Sequence, residues 1–114
     1  NSIIMALMAS GFNGQQFYFH GYLPNKQPML SIKIKEIEVH SRSHNCTQIF
    51  IETPYRNHQL IEEILKNCRD NTQLCVAANL TATDEHIVAQ MIKDWKKVKL
   101  NYHKIPAVFL LYAQ

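Results

Sequence analysis

Hydrophobic positions along the chain change period several times, and each change marks the boundary of an element. Ile3, Ile4, Leu7 and Met8 recur at helical spacing and stop at Gly11. A short buried helix is expected there, with Asn1 or Ser2 as its cap. Gln16 to Leu23 is aromatic-rich and reads as a strand ended by Pro24. From Gln27 to His40 two periods compete. Leu30, Ile32 and Ile34 alternate with polar residues as in a half-buried strand, whereas Leu30, Ile34 and Ile37 fit a helical stripe with Lys33 and Glu36 paired on the wet side. The pattern alone leaves this segment open.

Ser41 to Asn45 reads as polar loop, and Thr47 to Thr53 as a second strand stopped by Pro54. Asn57 is placed to cap a helix whose apolar face is Leu60, Ile61, Ile64 and Leu65 and whose wet face carries Glu62, Glu63 and Lys66. Gln73 to Leu80 is a nearly continuous apolar run of strand length, the pattern of a strand buried on both faces. Between Thr81 and Lys97 a helix starting at Thr83 competes with a strand over His86 to Gln90 followed by a short helix. Ile105 to Ala113 is a last buried strand. Strands alternating with helices predict an α/β fold, a mixed sheet of about five strands flanked by helices, with no internal repeat or linker.

Composition narrows the class without naming a function. The 114 residues make one domain, and 46% hydrophobic residues fill a core without staples. Twelve Lys and Arg against nine Asp and Glu leave +3, far from the dense positive clusters of a dedicated nucleic-acid binder. The three cysteines, Cys46, Cys68 and Cys75, are odd in number and lack C-x-x-C spacing, which argues against a disulfide framework or a structural zinc site and for a reducing, cytoplasmic home. The sequons at Asn45 and Asn79 are short enough to occur by chance. The opening apolar stretch lacks a positive n-region and is too short to span a bilayer, so no membrane partner is expected.

Metal and hydrolase chemistry find no support in the spacing. His40 and His44 are four apart, but no third ligand follows, and they read as solvated loop histidines. No Walker loop, H-E-x-x-H or Ser/His/Asp arrangement is present, and Cys75 lies in an apolar run where a thiol is inert. Two stretches do more than build a core. Glu52-Thr53-Pro54-Tyr55-Arg56 sets a carboxylate, a hydroxyl and a guanidinium at a strand end, where open α/β sheets bind ligands. Ala78 to Glu85 closes a buried strand with small residues that let a ligand approach the backbone. For each, an ordinary turn is the competing reading.

The order of these motifs resembles a family. Phe17-Tyr18-Phe19-His20-Gly21-Tyr22-Leu23-Pro24-Asn25-Lys26, then Phe50 to Arg56, then Leu80-Thr81 with Glu85, is similar to the C-terminal half of the tetrapyrrole-methylase-like S-adenosylmethionine-dependent methyltransferases. The branch that methylates ribose on small-subunit rRNA carries blocks of this kind in this order. The resemblance implies a two-domain fold with the methyl donor in the cleft between domains, so the chain is expected to be the C-terminal domain, partnered by an N-terminal domain of the same protein and by a second copy in a homodimer. It also implies a helix from about Gln27 to His40 and a strand over His86 to Gln90. Carried over by position, the donor contacts are Ser2, Ile51, Glu52, Thr53, Ala78, Asn79, Leu80, Pro106 and Ala107. Lys26 and Arg56 are carried over as substrate or structural residues, and no catalytic base is assigned.

Departures from the family pattern bear on the substrate more than on the donor. Gln27-Pro28-Met29-Leu30 replaces most of a basic run, Ala78-Asn79 stands where the branch has Arg-Glu, and Ala82 where it has Lys. Fewer cations mean fewer phosphate contacts, the largest source of RNA affinity. The expected function is methyl transfer from S-adenosylmethionine to RNA. The alternatives are a tetrapyrrole or other small-molecule methyltransferase, or a non-catalytic binding or dimerisation module on the same fold.

Overall fold

The computed structural model describes residues 1–114 and forms one five-stranded sheet with helices on both faces. In chain order the elements are α1 (Ser2–Ser10), β1 (Phe17–Tyr22), α2 (Met29–His44), β2 (Thr47–Ile51), a 3₁₀ turn (Pro54–Arg56), α3 (Asn57–Asn67), β3 (Gln73–Ala78), β4 (His86–Met91), α4 (Ile92–Trp95) and β5 (Ala107–Tyr112). The strands lie in the order β1-β2-β5-β3-β4. Only β1 and β2 run parallel, joined by the α2 crossover that a parallel pair requires. The remaining neighbours are antiparallel.

Period-two alternation sorts the strand residues between two cores. Phe50, Leu74, Val76, Phe109 and Leu111 face α2 and α3, where they meet Leu30, Ile34, Ile37, Leu60, Ile61 and Ile64. Ile49, Cys75, Ala77, Val108 and Leu110 face α1 and pack against Ala6 and Leu7. The segment that the pattern left open is helical. Leu30, Ile34, Ile37 and Ser41 are buried at helical spacing, while Ile32 and Val39, which strand alternation would bury, are exposed. The helix also runs four residues past its expected end, so Ser41 to His44 is helix and not loop. Asn45 closes it in the left-handed conformation that asparagine tolerates better than most residues.

Two other expectations are corrected. In α1 the buried stripe is Ala6, Leu7 and Ser10, and Ile4 and Met8 point outward. Small Ala6 and Ser10 let the helix backbone approach the sheet, which Met8 could not. Asn57 is not a cap. It is the first residue of α3, fully buried, and its Nδ2 donates to the carbonyls of Tyr102 at 2.8 Å and Ile105 at 2.6 Å. Between Thr81 and Lys97 the strand that the resemblance implied forms and the longer helix does not, giving β3 its partner along one edge. Trp95 of α4 is then buried against Tyr102, and its Nε1 donates to the Leu74 carbonyl.

Gln48, fully buried, joins β1, β2 and α2 through two imidazoles. Its Oε1 accepts from His20 Nε2 at 2.6 Å, and its Nε2 donates to His40 Nδ1 at 2.7 Å. The His40 ring stacks on His44 with centroids 4.5 Å apart, so these histidines lie on a helix face and not on a loop. No group of three or more His, Cys, Asp or Glu side chains is placed to hold a metal. Burial lowers the His20 pKa, aided by Lys33 and His40 and opposed by the Gln48 hydrogen bond and Glu36. A histidine with a depressed folded pKa leaves stability intact above its unfolded pKa of about 6.5, and stability falls below that as the unfolded chain takes up the proton first. Melting curves recorded at about pH 7.5 and about pH 5.5 should therefore converge when His20 is replaced by Gln. An unchanged pH dependence in His20→Gln would exclude this histidine as the source.

Candidate functional site

The C-terminal end of β2, the start of β5 and the turn between β3 and β4 meet at one end of the sheet, and the start of α1 lies across them. A cavity of about 480 Å³ opens there, lined by Ser2, Ile51, Glu52, Pro54, Ala77, Asn79, Leu80, Ala82, Pro106, Ala107 and Val108. Its size falls within the range of small-molecule sites. Four of these residues, Ser2, Ala77, Ala82 and Ala107, have the smallest side chains available to L-residues, and their positions create the space. Cys75, one strand turn away, is fully buried in the α1 core with its thiol pushed up to about 12 by desolvation, so it supplies no nucleophile.

Seven of the nine positions carried over as donor contacts converge on this cavity: Ser2, Ile51, Glu52, Asn79, Leu80, Pro106 and Ala107. Two do not line it. Ala78 follows Ala77 on a strand, so it faces the other side of the sheet. There it joins the core under α2 and α3 and lines a second cavity of about 310 Å³ with Asn79, Asp84, His86, Asn101, Tyr102 and Ile105. Thr53 is turned onto Glu52, donating from its backbone N at 2.7 Å and its hydroxyl at 3.3 Å to Glu52 Oε1. Pro54 and Ala82 fall within the two stretches singled out in the sequence, and Ala77 and Val108 line the cavity without having been anticipated. Ala77 and Val108 are cross-strand partners, and period two from Ile51 through the β2–β5 register finds Val108 directly.

Glu52 is the charged group of the cavity wall. Its side chain is only 5% exposed, and Arg56 Nε donates to the same Oε1 at 3.3 Å while its guanidinium lies 5.7 Å from the Tyr55 ring centre. All of the intramolecular hydrogen bonds to this carboxylate fall on Oε1. Oε2 has no hydrogen-bond partner within the protein and remains an acceptor for a hydroxyl or amine. Pro54 opens the 3₁₀ turn at a position where its fixed φ suits the geometry and its missing N–H costs nothing. Arg56 and Lys26 do not line the cavity. Arg56 holds the turn, and Lys26 is exposed in the loop after β1.

The opposite wall is held in an unusual backbone shape. Asn79 at φ 51° and Thr81 at φ 69° are both left-handed, which for a β-branched residue costs on the order of 1–3 kcal/mol. Glu85 offsets that cost, accepting from the Thr81 backbone N at 2.8 Å, and Asn79 Nδ2 donates to Asp84 at 3.0 Å. Glu85, quoted in the motif for its position alone, thus shapes the cavity wall without touching the cavity. Non-glycine residues held at positive φ beside a cavity are a recurrent mark of ligand sites.

The fold is that of the tetrapyrrole-methylase-like proteins, of which this chain covers one part. Solved structures with this fold include the methyltransferase CobJ (TM-score 0.59, 16% identity, 94% of this chain and 45% of that one). The cobalt precorrin-4 methyltransferase CbiF matches with TM-score 0.62 at 18% identity, over 98% of this chain and 48% of that one. Diphthine synthase gives 0.66 at 14% identity, over 97% and 45%. By sequence the chain is similar to the ribosomal RNA small subunit methyltransferase I of Buchnera aphidicola, 30% identical over 89% of this chain and 35% of that protein. The protein of the same name from Vibrio cholerae is 35% identical over 75% of this chain and 28% of that protein. No family model matches the sequence. The resemblance drawn from the motifs is borne out, and the chain spans about a third of the length of the curated relatives it matches.

Proposed function

We propose that this chain is the C-terminal half of an S-adenosylmethionine-dependent methyltransferase that acts on small-subunit rRNA, with its donor in the cavity at the strand ends. The observation that carries the reading is the convergence of seven motif-derived positions, from four separate elements and turns, on one cavity of ligand size. The curated relatives named as rRNA small subunit methyltransferase I support the acceptor class. The residues present fit the donor's adenosine: Glu52 offers a buried acceptor to ribose hydroxyls, and the small side chains leave room for a flat ring against Ile51, Leu80 and Pro106. The donor supplies an already activated methyl group, so what the protein contributes is position. Ser2, Glu52, Asn79 and Ala107 fix one side of the donor, and an N-terminal domain of the same protein closes the other.

The reading includes a homodimer. The outward Ile4, Met5 and Met8 of α1 are apolar surface outside the cavity that a second copy would cover. It also includes a cytoplasmic location, consistent with three unpaired cysteines and with the finding that no helix is long and apolar enough to cross a membrane. Incubating the full-length protein with methyl-labelled S-adenosylmethionine and small ribosomal subunits should put label into RNA. Label appearing in a tetrapyrrole and not in RNA would favour the small-molecule alternative, and absence of donor binding would favour the non-catalytic module.

A further inference from the structure

Strand β1 carries a feature that neither the donor site nor the core uses. Phe17, Phe19 and Tyr22 are large aromatic side chains, 42%, 46% and 62% exposed, on the edge strand of the sheet. Phe17 pairs with Thr47 and Phe19 with Ile49, so both lie on the α1 side of the sheet, whereas Tyr18 and His20 turn to the other side against His40 and Gln48. Strict alternation would send Tyr22 to that other side as well. It does not go there, because the register slips by one residue: Phe19 pairs with Ile49 but Tyr22 pairs with Ile51, leaving His20 and Gly21 together opposite Phe50. Gly21, at φ 69°, supplies the left-handed residue that such a bulge needs. The extra residue re-aims Tyr22, and the three rings form one row on one face.

That row leads to the cavity. Ile51, the register partner of Tyr22, is part of the cavity wall, and α1 packs over β5, β3 and β4 but leaves β1 uncovered. Lys26 follows β1 at the same end of the sheet. Arg56 lies in the turn after β2, and the backbone N of Lys104 donates to the Pro54 carbonyl, so the Lys104 backbone also lies at this turn. The one carboxylate in that turn, Glu52, is already paired with Arg56. Lys26 and Lys104 have no carboxylate partner, and a row of aromatic rings with free cations at one end is a combination that holds single-stranded nucleic acid, by stacking on bases and attraction to phosphates. Two residues of strand advance about 6.6 Å. That is roughly twice the 3.4 Å per nucleotide of a stacked strand, so rings can alternate with bases.

We propose that Phe17, Phe19 and Tyr22 are a stacking rail for a single-stranded RNA segment, aligned by the Gly21 bulge so that the segment runs to the mouth of the donor cavity. This rests on the RNA reading above and adds the residues that would seat the substrate. It also gives an answer to the thin basic run after Leu23-Pro24: affinity lost from phosphate contacts is recovered from base stacking.

The test uses the full-length protein and a short single-stranded oligoribonucleotide of small-subunit rRNA sequence carrying a fluorescent purine analogue, whose emission is quenched on stacking. Phe19→Ala and Tyr22→Ala should each weaken binding by about 5- to 150-fold, the range for loss of one base–aromatic stack, and should abolish the quenching. Tyr22→Phe should keep both. Lys26→Ala should instead lower the salt dependence of binding and leave the quenching in place. Because the rings are exposed, melting temperature and S-adenosylmethionine affinity should not change. Wild-type affinity and quenching in both alanine variants would overturn the rail while leaving the RNA reading standing. Loss of self-association in sedimentation with RNA binding intact would overturn it in favour of a second copy on this face. A wild-type protein that transfers methyl groups to a small molecule and binds no RNA would overturn both readings.

Discussion

Replacing Asn57 by leucine should lower stability by about 3 kcal/mol, a large fraction of what holds a domain of this size together. Asn57 is fully buried, and its amide is the donor for two carbonyls, Tyr102 and Ile105, in the loop that leads into β5. Leucine has the same branching but is larger, so overpacking adds to the loss from leaving those carbonyls without donors, at roughly 1–3 kcal/mol each. Asn57→Asp should be worse, because a carboxylate would face two carbonyl oxygens. Both are read by urea denaturation, where the midpoint should fall with little change in slope. The effect should reach the cavity too, since Pro106 and Ala107 follow directly on the segment that Asn57 holds. A midpoint within error of wild type for Asn57→Leu would mean that these carbonyls find other donors.

The second large effect is expected at Glu52, and a pair of variants separates structure from binding. Glu52→Gln keeps an oxygen that can accept from the Thr53 backbone and from Arg56, so the turn survives. It replaces the other oxygen, which has no partner within the protein, with an NH₂ donor and removes the charge. Loss of a charged hydrogen bond is worth roughly 1.5–3 kcal/mol, so donor affinity in the full-length protein should fall by about 10- to 150-fold with the melting temperature nearly unchanged. Glu52→Ala should lose the same affinity and also about 1–2 kcal/mol of stability. That cost lies below the range for fully buried pairs because the Arg56 side chain is 32% exposed and water screens it. Arg56→Ala should move stability and affinity less than either. Donor affinity that survives in Glu52→Gln, measured by calorimetry, would leave Glu52 a purely structural residue.

What could be read in the sequence depended on whether one period dominated. The α3 helix and the buried runs of β3 and β5 have unambiguous patterns, and they fold as the pattern dictates. For residues 29–44 two periods fit equally, and the decision came from tertiary packing. A helix there connects two parallel neighbours and buries Leu30, Ile34 and Ile37 against Phe50 and Phe109. The resemblance anticipated this helix, whereas local propensity could not.

The site divides along the same line. The Glu52 to Arg56 block is legible because proline, a carboxylate and a guanidinium at a strand end have few structural reasons to occur together. Its neighbours Ala77 and Val108 carry no chemistry of their own and become visible only when β2, β5 and β3 are in register. Ala78 does not line the cavity for the converse reason: a strand turns successive side chains to opposite faces, so one residue of difference moves a side chain from the cavity wall to the core. Sequence by itself determined the elements with a single period, the α/β class and the residues able to do chemistry, because those depend on local spacing and side-chain type. Only the tertiary structure decided the face each strand presents, the bulge that turns Tyr22, and the meeting of Ser2, Glu52, Asn79 and Ala107 around one cavity, because these depend on contacts between residues far apart in the chain.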